Sequence, residues 1–222
     1  MGESDDGTRA FVADVAHDLQ NPLLGMRTQL EFALTQSRSS AQEDWVRGLL
    51  AATTEMELLV SDLLALAAEE RMELPLPRDM VDLEEVVRHE AARPRPESTV
   101  SIDVDDVGPM KVRGDEMSLR RLVRNLLDNA VRHAAAAVRL QVQHVDGFAV
   151  LDVIDDGAGV PVEHRERIFD RFYRADPANR EGTGLGLAIV RQAAERHGGS
   201  VAMSPAEPGV GAHFRVWLPI PD

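Results

Sequence analysis

The chain contains no cysteine, a single lysine (Lys111) and only 4 % aromatic residues. The absence of cysteine excludes disulfide bonds and thiolate chemistry, which fits a reducing cytosol. The scarcity of rings indicates a core built from Leu, Val and Ala. No apolar run approaches the roughly 20 residues that a membrane-spanning helix needs. The acidic N-terminus, MGESDDG, lacks the apolar segment of a signal peptide.

Positive charge is also scarce, since 38 acidic residues stand against 24 basic ones and the formal net charge is −14. A broad nucleic-acid-binding surface needs clustered positive charge, and so does a helix held at an anionic membrane surface. We therefore expect no nucleic-acid partner and no direct membrane contact. The basic residues that do occur should serve local purposes.

Residues 8–72 carry apolar side chains at a spacing of three to four, which is typical of amphipathic helices. The polar run Ser37–Gln42 interrupts the pattern, so we predict two long helices that form an antiparallel hairpin. One hairpin cannot bury its whole apolar stripe, whereas two copies in a four-helix bundle can, and this predicts a homodimer through the hairpin. Packing against the rest of the same chain is the alternative. The stripe consists of Phe11, Val15, Leu19, Leu23, Met26, Leu30, Leu34, Trp45, Leu49, Ala52, Met56, Leu59, Leu63 and Leu66.

Pro75 and Pro77 end the second helix and mark residues 73–79 as a linker. Residues 80–220 then mix the two periodicities, which predicts an α/β sandwich with helices on one face of a sheet. The fold class is thus α+β, a helical hairpin followed by the sandwich. The predicted helices are Asp82–Ala92, Glu116–Ala135 and Leu185–His197, and the predicted strands are Thr99–Val104, Val138–His144, Phe148–Ile154, Ser200–Ser204 and His213–Pro219.

On the first predicted helix, His17 lies nearly opposite the apolar stripe, with Asp18 and Asn21 on the same outward side. Asp18 can accept a ring N–H and raise the basicity of the other nitrogen, which gives His17 the properties of a nucleophile. Taken alone, the cluster is more typical of a solvated helix face. Zinc is disfavoured because no second His or Cys stands at ligand spacing.

Two segments beyond the linker combine polar side chains with glycine. In RLVRNLLDNAVRH, Asn125 and Asn129 lie one turn apart, which suits Mg²⁺ and a triphosphate as well as an ordinary polar surface. The strand Leu151–Ile154 runs into Asp155-Asp156-Gly157-Ala158-Gly159. This pattern fits a tight turn, or a carboxylate that accepts an exocyclic amino group such as that of adenine.

Two further segments follow. RIFDRFYR contains Phe169 and Phe172, which we interpret as packing that anchors a lid between Asp170 and Gly182. GTGLGL opens a helix, and its glycines let backbone N–H groups approach phosphate. GxxxxGK[ST] and the catalytic-loop motifs of Ser/Thr kinases are absent from the sequence, which excludes the commonest other ATP sites.

FVADVAHDLQNPL, residues 11–23, closely resembles the phosphoacceptor box of sensor histidine kinases. The N, DxGxG, FxxF and GTGLG segments, in this order, resemble the ATP-binding domain of the same family, which is related to the ATPase domains of gyrase, Hsp90 and MutL. The resemblance covers nearly the whole chain. It implies a two-component signalling enzyme that phosphorylates itself from Mg-ATP and passes the phosphoryl group to an aspartate of a response-regulator receiver domain.

The resemblance also implies residue roles. His17 would be the phosphoacceptor, Asp18 would polarise it, and Asn21 would position a water that removes phosphate from the partner. The sequence departs from the family at Gln20, where a basic residue is usual, and at Ala134, where Thr is common. At the phosphate side of the ATP site, Asn129 would ligate Mg²⁺, Asn125 would order the phosphates, Arg132 and His133 would contact phosphate, and Arg174 would reach the γ-phosphate. At the base, Asp155 would bind the adenine amino group, and Gly157 and Gly159 would line the adenine pocket. The loop that flanks the lid would consist of Gly182, Thr183, Gly184, Leu185 and Gly186.

Three rival functions remain open at this point. An ATP-driven clamp like those of the gyrase and Hsp90 relatives would leave His17 incidental. A dimeric scaffold would bind nucleotide only for control, and a phosphatase-dominant protein would use Asn21 above all. We expect the chain to be cytoplasmic, as a fragment of a parent anchored in the membrane with this core on the cytoplasmic side.

Overall fold

The computed structural model describes residues 23–35, 39, 42–43, 45–50, 52–53, 56, 60, 79–95, 98–175, 183–207 and 210–221. The chain divides into two compact units, residues 1–73 with 180–185 and residues 74–179 with 186–222. Over the described stretches, no helix has the length and apolar character needed to cross a membrane. The bounds expected from the sequence, 8–72, 73–79 and 80–220, remain predictions.

The regular structure that is described in the first unit is helical. Residues 23–35 form a helix, and residues 42–43, 45–50, 52–53, 56 and 60 are helical too. Val46, Thr53 and Val60 are buried and lie seven residues apart, the spacing of a helix–helix seam. Leu23 packs in one cluster with Val60, so this seam joins the two helical stretches.

Five described residues of the predicted apolar stripe are exposed, namely Met26, Trp45, Leu49, Ala52 and Met56, while Leu30 and Leu34 are half-buried. Met26 is 57 % exposed, Trp45 66 % and Met56 54 %. Large apolar side chains that are exposed on a helical hairpin can be covered by a partner. These side chains are therefore available to a further partner, as the prediction of a bundle requires.

The second unit is an α/β sandwich, within which we number the elements. Its strands are β1 (Asp79–Asp82), β2 (Ser101–Val107), β3 (Lys111–Gly114), β4 (Ala137–Val145), β5 (Phe148–Asp155), β6 (Ser200–Glu207) and β7 (Val210–Pro219). Its helices are α1 (Leu83–Ala91), α2 (Glu116–His133) and α3 (Gly186–Arg196), with 3-10 turns at Val162–His164 and Arg167–Phe169.

Five strands form the main sheet in the order β2-β4-β5-β7-β6, and β1 pairs with β3 in a separate ribbon. Only β2 and β4 are parallel; the other pairs are antiparallel. Asp146 and Gly147 both have positive φ, 49° and 83°, at the turn between β4 and β5. This Asp-Gly turn matches the right-handed twist of the hairpin, and it joins the two strands that the sequence predicts at Val138–His144 and Phe148–Ile154.

The core lies between one face of the sheet and the three helices. Ala149, Leu151 and Val153 of β5 alternate toward it, and they meet the fully buried Leu122 and Leu126 of α2. Burial of each such Leu side chain stabilises the fold by roughly 1.5–3 kcal/mol. The sequence prediction of helices on one face of the sheet is confirmed.

Two details differ from the sequence predictions. The short strands β1 and β3 were not predicted, because four-residue strands that alternate apolar with charged residues give little signal. The interpretation of Phe172 as packing is wrong, since its side chain is 60 % exposed. Its partner in the motif, Phe169, is buried with its ring edge-on to Phe214, 6.3 Å between centroids.

Candidate functional site

Asp155 ends strand β5 and is only 3 % exposed. Its Oδ1 accepts hydrogen bonds from the backbone N–H groups of Gly157 at 3.0 Å and Ala212 at 3.2 Å. Its Oδ2 is buried and has no partner among the described residues. Burial raises the pKa of Asp155, and the two N–H groups oppose that shift only in part. A buried acceptor without a donor is costly, so this oxygen is available to a ligand that brings one.

The glycines after Asp155 let the turn approach its neighbours closely. A Cβ on Gly157 would lie 2.0 Å from the backbone oxygen of His133. Gly159 has a φ of 73°, and a Cβ there would lie 2.7 Å from the oxygen of Gly211. No side chain fits at Gly157, so this glycine fixes the turn against the C-terminal end of α2.

Asp156 is a structural residue of the site that sequence reasoning missed. Its Oδ1 accepts from the backbone N–H groups of Ala135, Ala136 and Ala137 at 2.8, 3.0 and 3.1 Å. These bonds, from Ala136 and Ala137 first, lower the pKa of Asp156. Its carboxylate therefore joins the loop after α2 to the end of β5. The one signal in the sequence is a second acid next to Asp155.

Helix α2 carries the two side-chain amides of the candidate site, Asn125 and Asn129. The Asp115 side chain caps it by accepting from the N–H groups of Met117 and Ser118 at 2.8 and 3.1 Å. Leu122, Leu126 and Ala130 form its buried stripe. Asn125 lies off this stripe, and its Nδ2 is buried without a partner among the described residues. Asn129 is half-buried, and Arg132 is exposed.

Asn125, Asn129 and Arg132 form a polar row along α2. The glycine turn lies at one end of this row and the start of α3 at the other. Gly157 contacts the backbone of His133, whose side chain is exposed. A Cβ on Gly186 would lie 3.6 Å from Oδ1 of Asn125, an ordinary contact. From residue 125 to residue 133, an α-helix rises about 12 Å. The candidate site is therefore a strip of about that length along α2.

The segment 169–174 is held by contacts that sequence reasoning did not find. The Tyr173 hydroxyl lies 2.6 Å from Nδ1 of His164, and the Arg167 guanidinium lies 4.3 Å above the Tyr173 ring. Phe172 takes a left-handed φ of 61°, which is strained for a residue with a Cβ. The next residue but one, Arg174, has a buried Nη2 without a partner among the described residues.

The loop before α3 is described from Thr183 onward. The Leu185 N–H donates to the Thr183 hydroxyl at 3.2 Å, and Gly184 takes a φ of 71°, which favours glycine. Gly182 and the greater part of the expected lid, residues 176–182, lie outside the described residues. So do His17, Asp18 and Asn21, whose roles stay predictions.

Two family models match the chain. The His Kinase A (phospho-acceptor) domain matches residues 8–71. The histidine kinase-, DNA gyrase B- and HSP90-like ATPase matches residues 114–222, which include the amide row, the glycine turn and the start of α3. The chain belongs to the sensor histidine kinases. This histidine kinase core has a helical N-terminal region followed by an α/β ATPase domain, which confirms the predicted fold class.

Individual relatives agree with this assignment. The core is 37 % identical over 242 residues to the signal transduction histidine-protein kinase/phosphatase MprB of Mycolicibacterium smegmatis, over 100 % of this chain and 48 % of that protein. It is 36 % identical over 222 residues to the sensor histidine kinase CusS of Escherichia coli O157:H7, over 94 % and 45 %. It thus spans about half the length of these relatives. A crystal structure of full-length ShkA in complex with AMPPNP superposes with a TM-score of 0.77 at 29 % identity, over 95 % of this chain and 46 % of that one.

Proposed function

We propose that this chain is an ATP-dependent protein-histidine kinase, which phosphorylates its own His17 and passes the phosphoryl group to an aspartate of a response-regulator receiver domain. The observation that carries the proposal is the buried Oδ2 of Asp155 at the end of β5, which has no partner in the described part of the chain. The exocyclic amino group of adenine is a donor that would satisfy it, and a hydrogen bond to a charged group contributes about 1.5–3 kcal/mol.

Asn125 and Arg174, which the family resemblance assigns to the phosphates, each carry a buried donor, and this suits the opposite end of ATP. Asn125 Nδ2 and Arg174 Nη2 are both buried without a partner in the described part of the chain. Phosphate oxygens accept hydrogen bonds and carry negative charge, so they complement an amide N–H and a guanidinium. One unpaired acceptor and two unpaired donors thus match a base that donates and a polyphosphate that accepts. The AMPPNP bound by ShkA supports the same ligand class.

Mg²⁺ belongs to this proposal, and the amide row fits it. The ion prefers oxygen ligands and keeps several waters, so one amide oxygen from the protein is sufficient. Asn129, half-buried one turn from Asn125, would supply that oxygen, and Arg132 and His133 lie just beyond it. When bound, the ion would neutralise phosphate charge during transfer.

The chemistry of the chain's own residues follows from acid–base reasoning. Asp18 would accept one ring N–H of His17, which leaves the other nitrogen with a free electron pair. That nitrogen would form a bond to the γ-phosphorus as the bond to the bridging oxygen breaks, and ADP would leave. The phosphoryl group would then pass to the receiver carboxylate. Asn21 would orient a water for its later removal, and the kinase/phosphatase name of MprB supports this second activity.

The exposed apolar side chains of the first unit support a homodimer through the hairpin. Met26, Trp45 and Met56 are each more than half exposed in one chain, and a second copy would cover them in a four-helix bundle. The receiver domain would dock on the hairpin near His17. A membrane-anchored parent, with this core on its cytoplasmic side, is part of the same proposal.

The test is incubation with γ-labelled ATP and Mg²⁺, in which wild type is compared with His17→Gln. We expect a label that is stable to alkali and labile to acid in wild type, and none in the variant. Label that persists in His17→Gln would assign the acceptor elsewhere. ATP hydrolysis without any labelled protein would favour the ATP-driven clamp.

A further inference from the structure

Helix α2 carries four arginines, of which two form ion pairs with described residues and two do not. Arg120 Nη2 lies 2.7 Å from Oε1 of Glu116, and Arg124 Nε lies 3.0 Å from Oε2 of the fully buried Glu90. Arg121 and Arg132 make no hydrogen bond or ion pair with any residue that the structure describes. The net charge is −14, so two arginines on one helix that lack an acidic partner among the described residues are unusual.

The unpaired arginines lie on the same row of the helix as the two asparagines. At 100° per residue, Arg121, Asn125, Asn129 and Arg132 fall within a sector of about 80°. Arg120 and Arg124 lie about 140° and 100° from Asn125 by the same count. Arg121 is therefore one turn before Asn125 on the face that carries the candidate site, and it is half-buried there.

The row has a direction, because the structure fixes both ends. Asp155 and the glycine turn lie against the C-terminal end of α2, at His133, and Gly186 lies against Asn125. A base bound at Asp155 would send its phosphates toward Asn125. Arg121 lies about 6 Å further in that direction along the helix, where the terminal phosphate of a triphosphate would be and that of a diphosphate would not.

We propose that Arg121 binds the terminal phosphate of the nucleoside triphosphate and so sets the preference for a triphosphate over a diphosphate. This inference rests on the proposed function and adds a phosphate-binding residue to it. The guanidinium keeps its charge at every relevant pH and offers paired N–H donors that match two phosphate oxygens. Because Arg121 makes no hydrogen bond or ion pair with a described residue, its guanidinium is free to bind a phosphate.

The test compares Arg121→Gln with Arg120→Gln, the same change on the adjacent residue but on another face of the helix. Binding of Mg-ATP and of Mg-ADP to the full chain is measured by titration calorimetry. We expect Arg121→Gln to weaken ATP binding about ten- to a hundredfold, while ADP binding changes less than about threefold. Arg120→Gln should leave both affinities within about twofold. Arg121→Lys keeps the charge and should recover part of the ATP affinity.

Two results would overturn the assignment. Equal losses for ATP and ADP would mean that Arg121 acts through its general field, and unchanged ATP binding would mean that it is a solvated surface residue. Thermal unfolding of each variant shows whether the fold is kept. If wild type itself bound no ATP, the proposed function would fail along with this inference. If wild type bound ATP and Arg121→Gln kept the wild-type ratio of the two affinities, only the role of Arg121 would fail.

Discussion

Two aspartates on strand β5, Asp152 and Asp155, are equally buried and differ in how they are paired. Each is 3 % exposed, and because they are three residues apart they point to opposite faces of the sheet. Asp152 accepts from His213 Nε2 at 2.6 Å and from Arg215 Nε and Nη2 at 2.6 and 3.1 Å. Asp155 has two backbone donors on one oxygen and, among the described residues, none on the other.

The difference shows which buried carboxylate belongs to the fold and which to a ligand. Burial raises the pKa of Asp152, but the hydrogen bonds and positive charge of His213 and Arg215 outweigh it, and the net pKa lies below the ordinary value. Asp155 lacks such partners, so burial wins and its pKa is raised. A carboxylate that is costly to ionise in the free protein is retained where a ligand supplies the missing partner.

The largest effect expected from this comparison is on nucleotide binding. Asp155→Asn replaces one carboxylate oxygen by an NH₂ group and removes the negative charge. The adenine amino group would lose its charged acceptor, so ATP affinity should fall about ten- to a hundredfold. Asp152→Asn makes the same chemical change at the same burial on the other face of the sheet. It should leave ATP affinity within about twofold. Titration calorimetry on the full chain measures both.

Unchanged ATP affinity in Asp155→Asn would refute the adenine assignment. An equal loss in both variants would mean that either change disturbs the sheet as a whole, and the contrast between the two carboxylates would then carry no functional meaning. The unfolding midpoint of each variant, measured without nucleotide, is the control for that outcome.

Local sequence patterns could predict Asp155 but not Asp152. An acid at the end of an apolar strand, followed by Gly-x-Gly, is a signal that lies within five residues. Asp152 stands inside the run LDVID, and its partners His213 and Arg215 lie about sixty residues further on, in β7. Pairing of β5 with β7 sets Asp152 opposite Arg215, and only the tertiary fold shows it.

Local patterns likewise predicted features that are set within one element and missed those that depend on the tertiary fold. The stripe of Leu122, Leu126 and Ala130 is a period within one helix, so its burial could be predicted. The exposure of Phe172 depends on a left-handed backbone at that residue, which an FxxF spacing does not reveal. Hydrogen bonds from Ala135 and its neighbours to Asp156 join two elements distant in sequence, so no local pattern predicts them.

An effect of comparable size is expected on stability, but there Asp152→Asn should have the larger effect. Asp152→Asn removes the charge that His213 and Arg215 pair with, and the free energy of unfolding should fall by about 1–3 kcal/mol. The value stays below the range for fully buried pairs because the Arg215 side chain is 44 % exposed and can regain water. Asp155→Asn should cost less than about 1 kcal/mol, since it also removes a poorly compensated buried charge. Urea denaturation at neutral pH measures both changes, and a larger loss in Asp155→Asn than in Asp152→Asn would contradict the ranking.

The smallest effect, on the order of 1 kcal/mol, is the dependence of these stabilities on pH. The folded-state pKa of Asp152 is lowered, so its contribution is present above the unfolded value of about 3.9 and is lost as the pH falls through the folded value. The gap between wild type and Asp152→Asn should therefore narrow from pH 6 to pH 3. The folded-state pKa of Asp155 is raised, so its contribution is present below about 3.9 and is lost as the pH rises through the folded value. Wild type should thus gain stability relative to Asp155→Asn on acidification.

Urea denaturation at intervals between pH 3 and pH 6, without nucleotide, separates the two carboxylates by the sign of the change. The contributions of the many other carboxylates cancel when the free energy of unfolding of each variant is subtracted from that of wild type, because those groups titrate alike in both proteins. If wild type instead lost stability relative to Asp155→Asn as the pH fell, the folded protein would favour the ionised form of Asp155. The Oδ2 of Asp155 would then have a partner in the free protein, as the carboxylate of Asp152 has, and no amino group from a ligand would be needed to complete the site.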